Sequence, residues 1–567
     1  MSIEAATYIN QLDPTRPLAA DIISEGDDHQ RLMKSVTKAS FPNIGGAVSA
    51  SHTELSYVTG VTSAIQTQLN NLSSSSAALF THAGSYAAGT VGAKLNRIID
   101  VMDAPYNAVG DGVADDRGAF VLAMADLGTL GGAIRCTKKH LIDSSMTVPA
   151  NVTILGPMQM VGSPGTNTSA PYGNMAALIV NSAATITLSG GAGVYGVLAY
   201  RKGVSFPIAD ALAFAGTCFT AAGDDCFLLN SMVFGFNKAY TSSSYQRPRI
   251  QNCNFDNINC IEVINCADIS HIRNNHCWPF STIQSYATTP TVSKLQRSGT
   301  AYAFSVVGDW NKVSDCFSYG YFKGFYGSSV NSMTFLNCSA DGNAGAYTGA
   351  IGFLVDGTSW DTRFIACQAA AQDTGFQINT SAGKHHRLIG CDSWANITAG
   401  VVVSGGDVSI TGGTHRNTVD GVRVTNASSK VYVGGGVRFE GLTGLPVSVT
   451  IANPYVQVDV NDYGDLAVGT SVATVANKTI PSIASANPLP VPNNGEVFNV
   501  SGVTNFGSIN GGYAGRKITL IFTGVLTITS STVNNASVYL KGGVNLTTAA
   551  GTAIQLQHNG TQWYELR

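Results

Sequence analysis

The feature that most constrains this chain is a repeat. Between about residues 100 and 460 a Cys or Gly recurs at Cys226, Cys253, Cys277, Cys316, Cys338, Cys367, Cys391, Gly412 and Gly435, at spacings of 27, 24, 39, 22, 29, 24, 21 and 23 residues. About eight or nine residues after most of these anchors stands a glycine followed by an apolar residue: Gly235-Phe236, Gly324-Phe325, Gly375-Phe376, Gly400-Val401, Gly421-Val422 and Gly444-Leu445. Gly352-Phe353 joins the series if "DGNAGAYTGA" is a loop insertion, and a second insertion near Pro279 to Thr300 accounts for the gap of 39. A short period built from β-rich pieces predicts a solenoid, because a unit this small buries its apolar face only by stacking on its neighbours. Helical repeats run longer and would not carry so much Gly, Thr and Val. Each turn then supplies two or three strands, each stacked on its counterpart one turn later at about 4.8 Å. Small anchors suit a crowded interior column, so the middle of the chain reads as all-β, a right-handed parallel β-helix.

Composition narrows the rest. Charged residues make up 12% of the chain, against about 25% in ordinary globular proteins. The net charge of −3 offers no basic surplus for a nucleic-acid partner. The opening "MSIEAATYINQLDPTRP" lacks a basic region followed by an apolar run, so no signal peptide is expected, and no segment is apolar for long enough to enter a membrane. The 11 cysteines include no CxxC pair. They read as buried free thiols in a chain folded in a reducing compartment, with neither disulfides nor zinc and no cofactor.

"YNAVGDGVADDRGAFVLAMADLG" sets Asp111, Asp115 and Asp116 before an apolar helix at about 115–127. Gly110 and Gly112 suit a tight turn, and Asp115 or Asp116 suits a helix cap. That helix is well placed to cover the open first coil, whose unpaired strand edges need protection. Residues 1–75 differ from the solenoid, with a short helix over Glu25 to Thr37 and a second from about Glu54 to Leu72. The second carries a narrow apolar stripe of Leu55, Val58, Ile65, Leu69 and Leu72. Residues 76–100 read as a neck. Residues 461–567 break the period and alternate apolar and polar residues, predicting an antiparallel sandwich-like domain.

"YNAVGDGVADDRGAF" with "LGGAIRCTKKHLIDSSMTVPANVTILG" resembles the entry segment of the pectate-lyase-like β-helix family. Residues 1–75, including "DIISEGDDHQRLMK", resemble the virion-attachment head of tailed-bacteriophage tail fibres and tailspikes, and the last hundred residues, ending "NGTQWYELR", resemble their trimerising domains. The resemblance implies a homotrimeric phage tail protein, made in the host cytoplasm and acting at the host surface. It would bind, and often cleave, a bacterial surface polysaccharide (capsule, exopolysaccharide or O-antigen), with residues 1–75 meeting tail or baseplate proteins. It transfers no catalytic residue, because such families vary their chemistry on one scaffold.

Candidate chemistry comes from alignment on the anchors. Four residues before them stand Arg249, Arg273, Lys312, Thr334, Arg363 and Arg387; six before stand Arg247, His271, Trp310, Ser332, Asp361 and His385. Residues two apart on a strand share a face, so these form two adjacent columns suited to an anionic glycan. The plainer reading is a solvated face, or pairing with Asp268, Asp315 and Asp361 across a trimer. Glycoside hydrolysis usually needs two carboxyl groups, about 5 Å apart for retention or about 6.5–9.5 Å for inversion. Asp315 and Asp341 are the preferred pair, near Trp310, Tyr319, Tyr321 and Tyr347, with Trp360 a further sugar-stacking candidate. Glu262, Asp309, Asp356, Asp361, Asp373 and Asp392 are alternatives, and any of these acids can instead be a turn residue. The rival chemistry is β-elimination from a uronic acid, with His271 or His276 as base and Arg273 or Arg249 holding the developing charge; His385-His386-Arg387 is a second basic cluster. No metal-ligand spacing, calcium loop or nucleophile elbow is present, and a non-catalytic receptor-binding fibre is the reading from another class.

Overall fold

A computed structural model describes residues 3–44, 46–47, 49–57, 67, 97–157, 175–206, 213–281, 297–308, 310–342, 348–451, 453, 455–459, 480–492, 495–533 and 535–566. The chain divides into two compact units, Met1–Thr81 and His82–Arg567. In the first, the expected helix forms at Gly26–Ser40, with Asp27 and Asp28 in its first turn, and a short helix follows at His52–Ser56. The remainder of the expected second helix and the neck lie almost entirely outside the described residues.

From Ile98 to Val458 the second unit is a coil of three parallel sheets, with fourteen, thirteen and twelve strands among the described residues. Each turn contributes one strand to each sheet in the same order. In one turn these are Thr334–Leu336, Ser339–Asp341 and Ile351–Gly357; in the next they are Thr362–Ile365, Gln368–Ala370 and Thr374–Thr380. The register between them is continuous, with Thr334 beside Arg363, Asp341 beside Ala370 and Phe353 beside Phe376. This is the parallel β-helix that the repeat predicts, and its one continuous core runs the length of the coil.

The register corrects part of the sequence alignment. The bend between the first and second sheets is a left-handed residue: Asn230, Asn252, Asn274, Asp315, Asn337, Ala366, Gly390 and Gly412 all have positive φ. Asn and Gly recur there because they adopt that region at least cost. Cys253, Cys316, Cys338, Cys367 and Cys391 each follow a bend and form one interior column. Cys226, Cys277, Gly412 and Gly435 do not belong to it. Asn275 stands where Cys277 was aligned, since His276 pairs with Asn254 and Phe317. The substitution is chemical: Asn275 Nδ2 donates to the Ile250 carbonyl at 2.8 Å, as Cys338 Sγ donates to Val313 at 3.5 Å. All 11 cysteines are buried and free.

The third sheet explains the Gly-apolar motif. Gly324, Gly352, Gly375, Gly400 and Gly421 form a column whose backbones nearly touch; a Cβ on Gly375 would lie 2.5 Å from the Gly400 carbonyl oxygen. Gly235 and Gly444 are out of register, their places being taken by Ala239 and Pro446. Beside the glycines Tyr302, Phe325, Phe353 and Phe376 stack face to face at 4.7, 4.6 and 4.8 Å.

Helix Arg117–Leu127 closes the first coil, burying Phe120, Ala123, Met124 and Leu127. Asp116 does not cap it. Its carboxylate accepts from the Val109 and Gly110 amides at 2.6 and 2.9 Å and meets His140 Nδ1 at 2.8 Å, tying the preceding turn to the first coil. Asp115 accepts the Arg117 amide at 3.1 Å, and Asp111 accepts those of Val113 and Ala114. The three aspartates are therefore structural.

The C-terminal domain has its own apolar core. Its six-stranded sheet is mixed rather than antiparallel. Ser482–Ala484, Val497–Ser501 and Lys517–Phe522 run parallel, and Ala553–His558 pairs antiparallel with Lys517–Phe522. Residues 485–496 and 502–516 are long enough to carry the chain back across the sheet, which alternation alone does not reveal.

Candidate active site

The outer face of the second sheet changes character along the coil. Its early turns present Leu141, Ile179, Leu198, Tyr200, Met232 and Phe234, an apolar layer covered by Met175, Phe206 and Phe280. Farther along, the register runs Trp278, Tyr319, Asp341, Ala370, Trp394, Arg416 in one column. The neighbouring outward column runs His276, Phe317, Ser339, Gln368, Asp392. Chain segments 282–296 and 343–347, which contain Tyr347 and lie outside the described residues, join strands of this sheet to the third.

Asp341 ends the strand Ser339–Asp341 on this face, between Tyr319 and Ala370. Burial pushes its carboxyl up to about 6, opposed by a backbone hydrogen bond from Gly342. The small, buried Ala370 stands between Asp341 and Trp394 in the column, and the Arg416 guanidinium lies 5.7 Å from the Trp394 ring. Asp392 shares the face two strands on; its Oδ1 accepts the Thr414 amide at 2.8 Å. Together these give one titratable acid, a second carboxylate on the same face, ring faces on either side and a cation farther along.

The other predicted residues disperse. Asp315 fills a left-handed bend (φ 54°), and its Oδ1 accepts from Asn337 Nδ2 at 2.8 Å. It stands at the bend four residues before Tyr319, whereas Asp341 is the register partner of Tyr319 on the strand itself. Asp373 accepts the Gly349 amide and the Thr398 hydroxyl, both at 2.7 Å. Glu262 pairs with Lys238 at 2.7 Å on the third sheet, and Asp356 accepts from the Tyr326 hydroxyl at 3.1 Å. Tyr321 is inside the coil, its hydroxyl bonded to the Asn257 carbonyl at 3.0 Å. Asp309 lies outside the described residues.

On the first sheet the outward column is Arg249, His271, Lys312, Thr334, Arg363, Arg387; Arg273 stands in the next column with Gln251 and Ser314. Acids of the same chain occupy several of these bases. Arg247 meets Asp225 at 2.9 Å and Asp268 at 2.8 Å, and Arg249 reaches Asp225 at 3.5 Å. Asp361 meets Arg363 at 2.6 Å and Arg387 at 2.9 Å. His271 and Arg273 share this face, and burial followed by Arg273, Arg249 and Lys312 pushes the imidazole down. His276 is on the other sheet, edge-on to Phe317 and Phe280, and burial pushes it down to about 4. His385 is exposed, while His386 is buried against the Thr380 hydroxyl at 2.9 Å.

Sequence reasoning missed Trp394, Ala370 and Arg416. The signal is present three residues after the anchors, where Cys316, Cys338, Cys367 and Cys391 lead to Tyr319, Asp341, Ala370 and Trp394.

No family profile matches the chain, and no curated protein matches it. Solved structures do. One is the Dettilon tailspike protein, at 13% identity and TM-score 0.44, covering 69% of this chain and 75% of that one. Another is the catalytic unit of a thermostable GH87 alpha-1,3-glucanase from Streptomyces thermodiastaticus, at 13% identity and TM-score 0.40, covering 68% and 70%. A third is the enzymatically active domain of bacteriophage CBA120 tailspike protein 2, at 12% identity and TM-score 0.37, covering 84% and 72%. These likenesses transfer no residue roles; the fold rests on the strand pairing itself.

Proposed function

We propose that this chain is a phage tailspike that binds and hydrolyses a bacterial surface polysaccharide on the outer face of its second sheet. The observation that carries the reading is Asp341: a half-buried carboxyl held up at about 6, on a solvent-facing strip between aromatic rings. A carboxyl of that kind keeps its proton near neutrality and can donate it to a glycosidic oxygen. Asp392 is the partner that the register favours. Its backbone lies two strands and two residues away, about 12 Å. Its Oδ1 is held by the Thr414 amide on the next strand, so the pair fits the wider separation of an inverting rather than a retaining hydrolysis. Tyr319 and Trp394 offer faces for the sugars on either side. In this reading residues 1–75 attach the protein to the tail and residues 461–567 hold a homotrimer.

Incubation with the host polysaccharide tests the chemistry. New reducing ends without the ultraviolet absorbance of an unsaturated uronate support hydrolysis. Ends with that absorbance replace it by elimination, and uncut glycan reduces the protein to a binder. Asp341→Asn should lower kcat by about 10²–10⁴-fold with the fold intact. Wild-type kcat should decline as pH rises through about 6, where Asp341 loses its proton. A pH profile flat from 5 to 8 refutes the assignment, and a sedimentation mass of one chain refutes the trimer.

A further inference from the structure

Two of the chain's 5 tryptophans are well exposed, Trp310 at 64% and Trp360 at 46%. Neither belongs to the second sheet. Both stand at the bend that leads into strands of the first sheet, Lys312–Ser314 and Thr362–Ile365. Trp310 also has φ 62°, in the left-handed region. A bulky side chain there is strained, and an exposed ring recovers little of that strain by packing.

The register sets the two rings in one neighbourhood. Lys312 pairs with Thr334, which pairs with Arg363, and Asn331 bridges to Trp360. Trp360 is level with Asn331 and Trp310 with Ser332, so their backbones are two strand spacings and one residue apart, about 10 Å, with Asn331 and Ser332 on the strand between them. Cations border this saddle. Arg363 is oriented by Asp361, which also takes Arg387, so two guanidinium groups share one acid. Arg273 and Lys312 are exposed, and no ion pair joins either to an acid among the described residues. The nearby Asp315 is bonded to Asn337, and Asp268 is committed to Arg247.

We propose that this face of the first sheet is a second, non-catalytic saccharide-binding surface for an acidic glycan, with Trp310 and Trp360 stacking on sugar rings and Lys312 and Arg273 holding carboxylates. Ring faces suit the C–H faces of sugars. The forked guanidinium suits a carboxylate and the ammonium adds an unneutralised charge. The inference rests on the reading that the protein engages a polysaccharide, but on a different sheet from Asp341. It lets one chain grip a polymer at one surface while cutting at another.

The test uses the full-length Asp341→Asn protein, so that turnover does not interfere, in affinity gels containing polygalacturonate, alginate or neutral dextran. Retardation is expected in at least one acidic gel, weakening with salt, and absent in dextran. Trp310→Ala/Trp360→Ala should abolish it, and Arg273→Ala/Lys312→Ala should weaken it at least fivefold. No retardation in either acidic gel overturns the proposal, as does equal retardation in dextran. Retardation lost in Trp394→Ala but kept in Trp310→Ala/Trp360→Ala assigns the binding to the second sheet, overturning this surface while leaving the proposed hydrolysis standing. Iodide quenching supplies a readout independent of the glycan: it should fall by more than half in Trp310→Ala/Trp360→Ala. Unchanged quenching means another copy covers the face, which also overturns it.

Discussion

Lowering the pH from 7 to about 5 should destabilise the coil through three histidines held without charge, His386 and His415 buried inside it and His276 half-buried among rings on the outer face of the second sheet. His276, His386 and His415 are each pushed down by burial to about 4, against an ordinary value of 6.5. His415 Nδ1 meets the Ser393 hydroxyl at 2.7 Å, while its Nε2, like His276 Nε2 and His386 Nδ1, makes no hydrogen bond among the described residues. A histidine whose folded value is depressed stays neutral in the coil while the unfolded chain takes up protons. Stability is therefore full above about 6.5, falls as pH drops through the window from 6.5 to 4, and levels off below it. At 1.36 kcal/mol per pH unit the limit is about 3.4 kcal/mol for each group, of which about 1.8 is lost between pH 7 and 5. Asp341 opposes this. Its folded value is raised, so it binds a proton first in the folded state and returns about 1.3 kcal/mol over the same interval. The net expectation is a loss of about 4 kcal/mol. Guanidinium unfolding of the full chain at the two pH values, followed by tryptophan fluorescence, measures it. His415→Asn, which can keep the bond to Ser393, should remove about a third of the histidine contribution. A loss under about 1 kcal/mol, or an unchanged loss in His415→Asn, refutes the argument that these imidazoles are held neutral in the folded coil.

Two further outcomes follow from the interior. Phe353→Ala removes the middle of a stack with Phe325 at 4.6 Å and Phe376 at 4.8 Å; it should cost about 3–5 kcal/mol in the same unfolding assay. The 11 thiols should resist a water-soluble disulfide reagent in the folded protein and all react after unfolding, since all are buried and burial pushes Cys226 up to about 11 and Cys253 to about 12; rapid labelling of more than one without unfolding contradicts the interior column.

The solenoid was legible because one chemical requirement recurs once per turn. A crowded corner selects Cys or Gly, and the selection survives in the sequence as a period. Legibility failed where a different residue met the same requirement. Asn275 satisfies its carbonyl as a cysteine would, and aligning on Cys277 shifted Arg273 into the wrong column. The carboxylates were harder. Asp315 and Asp341 look alike in sequence, one and three residues from a cysteine, yet one occupies a bend that asparagine fills elsewhere and the other faces outward beside Tyr319. That difference comes from position within a turn, and counting three residues past each anchor recovers Tyr319, Asp341, Ala370 and Trp394 together. The parallel strands of the last domain depend on how residues 485–496 and 502–516 cross, which local alternation does not record.

A rod whose outward residues recur at one strand spacing works as a ruler. Each strand pairs with its counterparts one coil before and one coil after, so duplicating residues 368–391 would insert one graduation and move Asp341 away from Trp394 and Arg416 by about 4.8 Å. If that face binds and cuts a polymer as proposed, such a change would leave the chemistry at each mark alone and alter the length that fits between marks, so that product size would be reset by copying or deleting a coil.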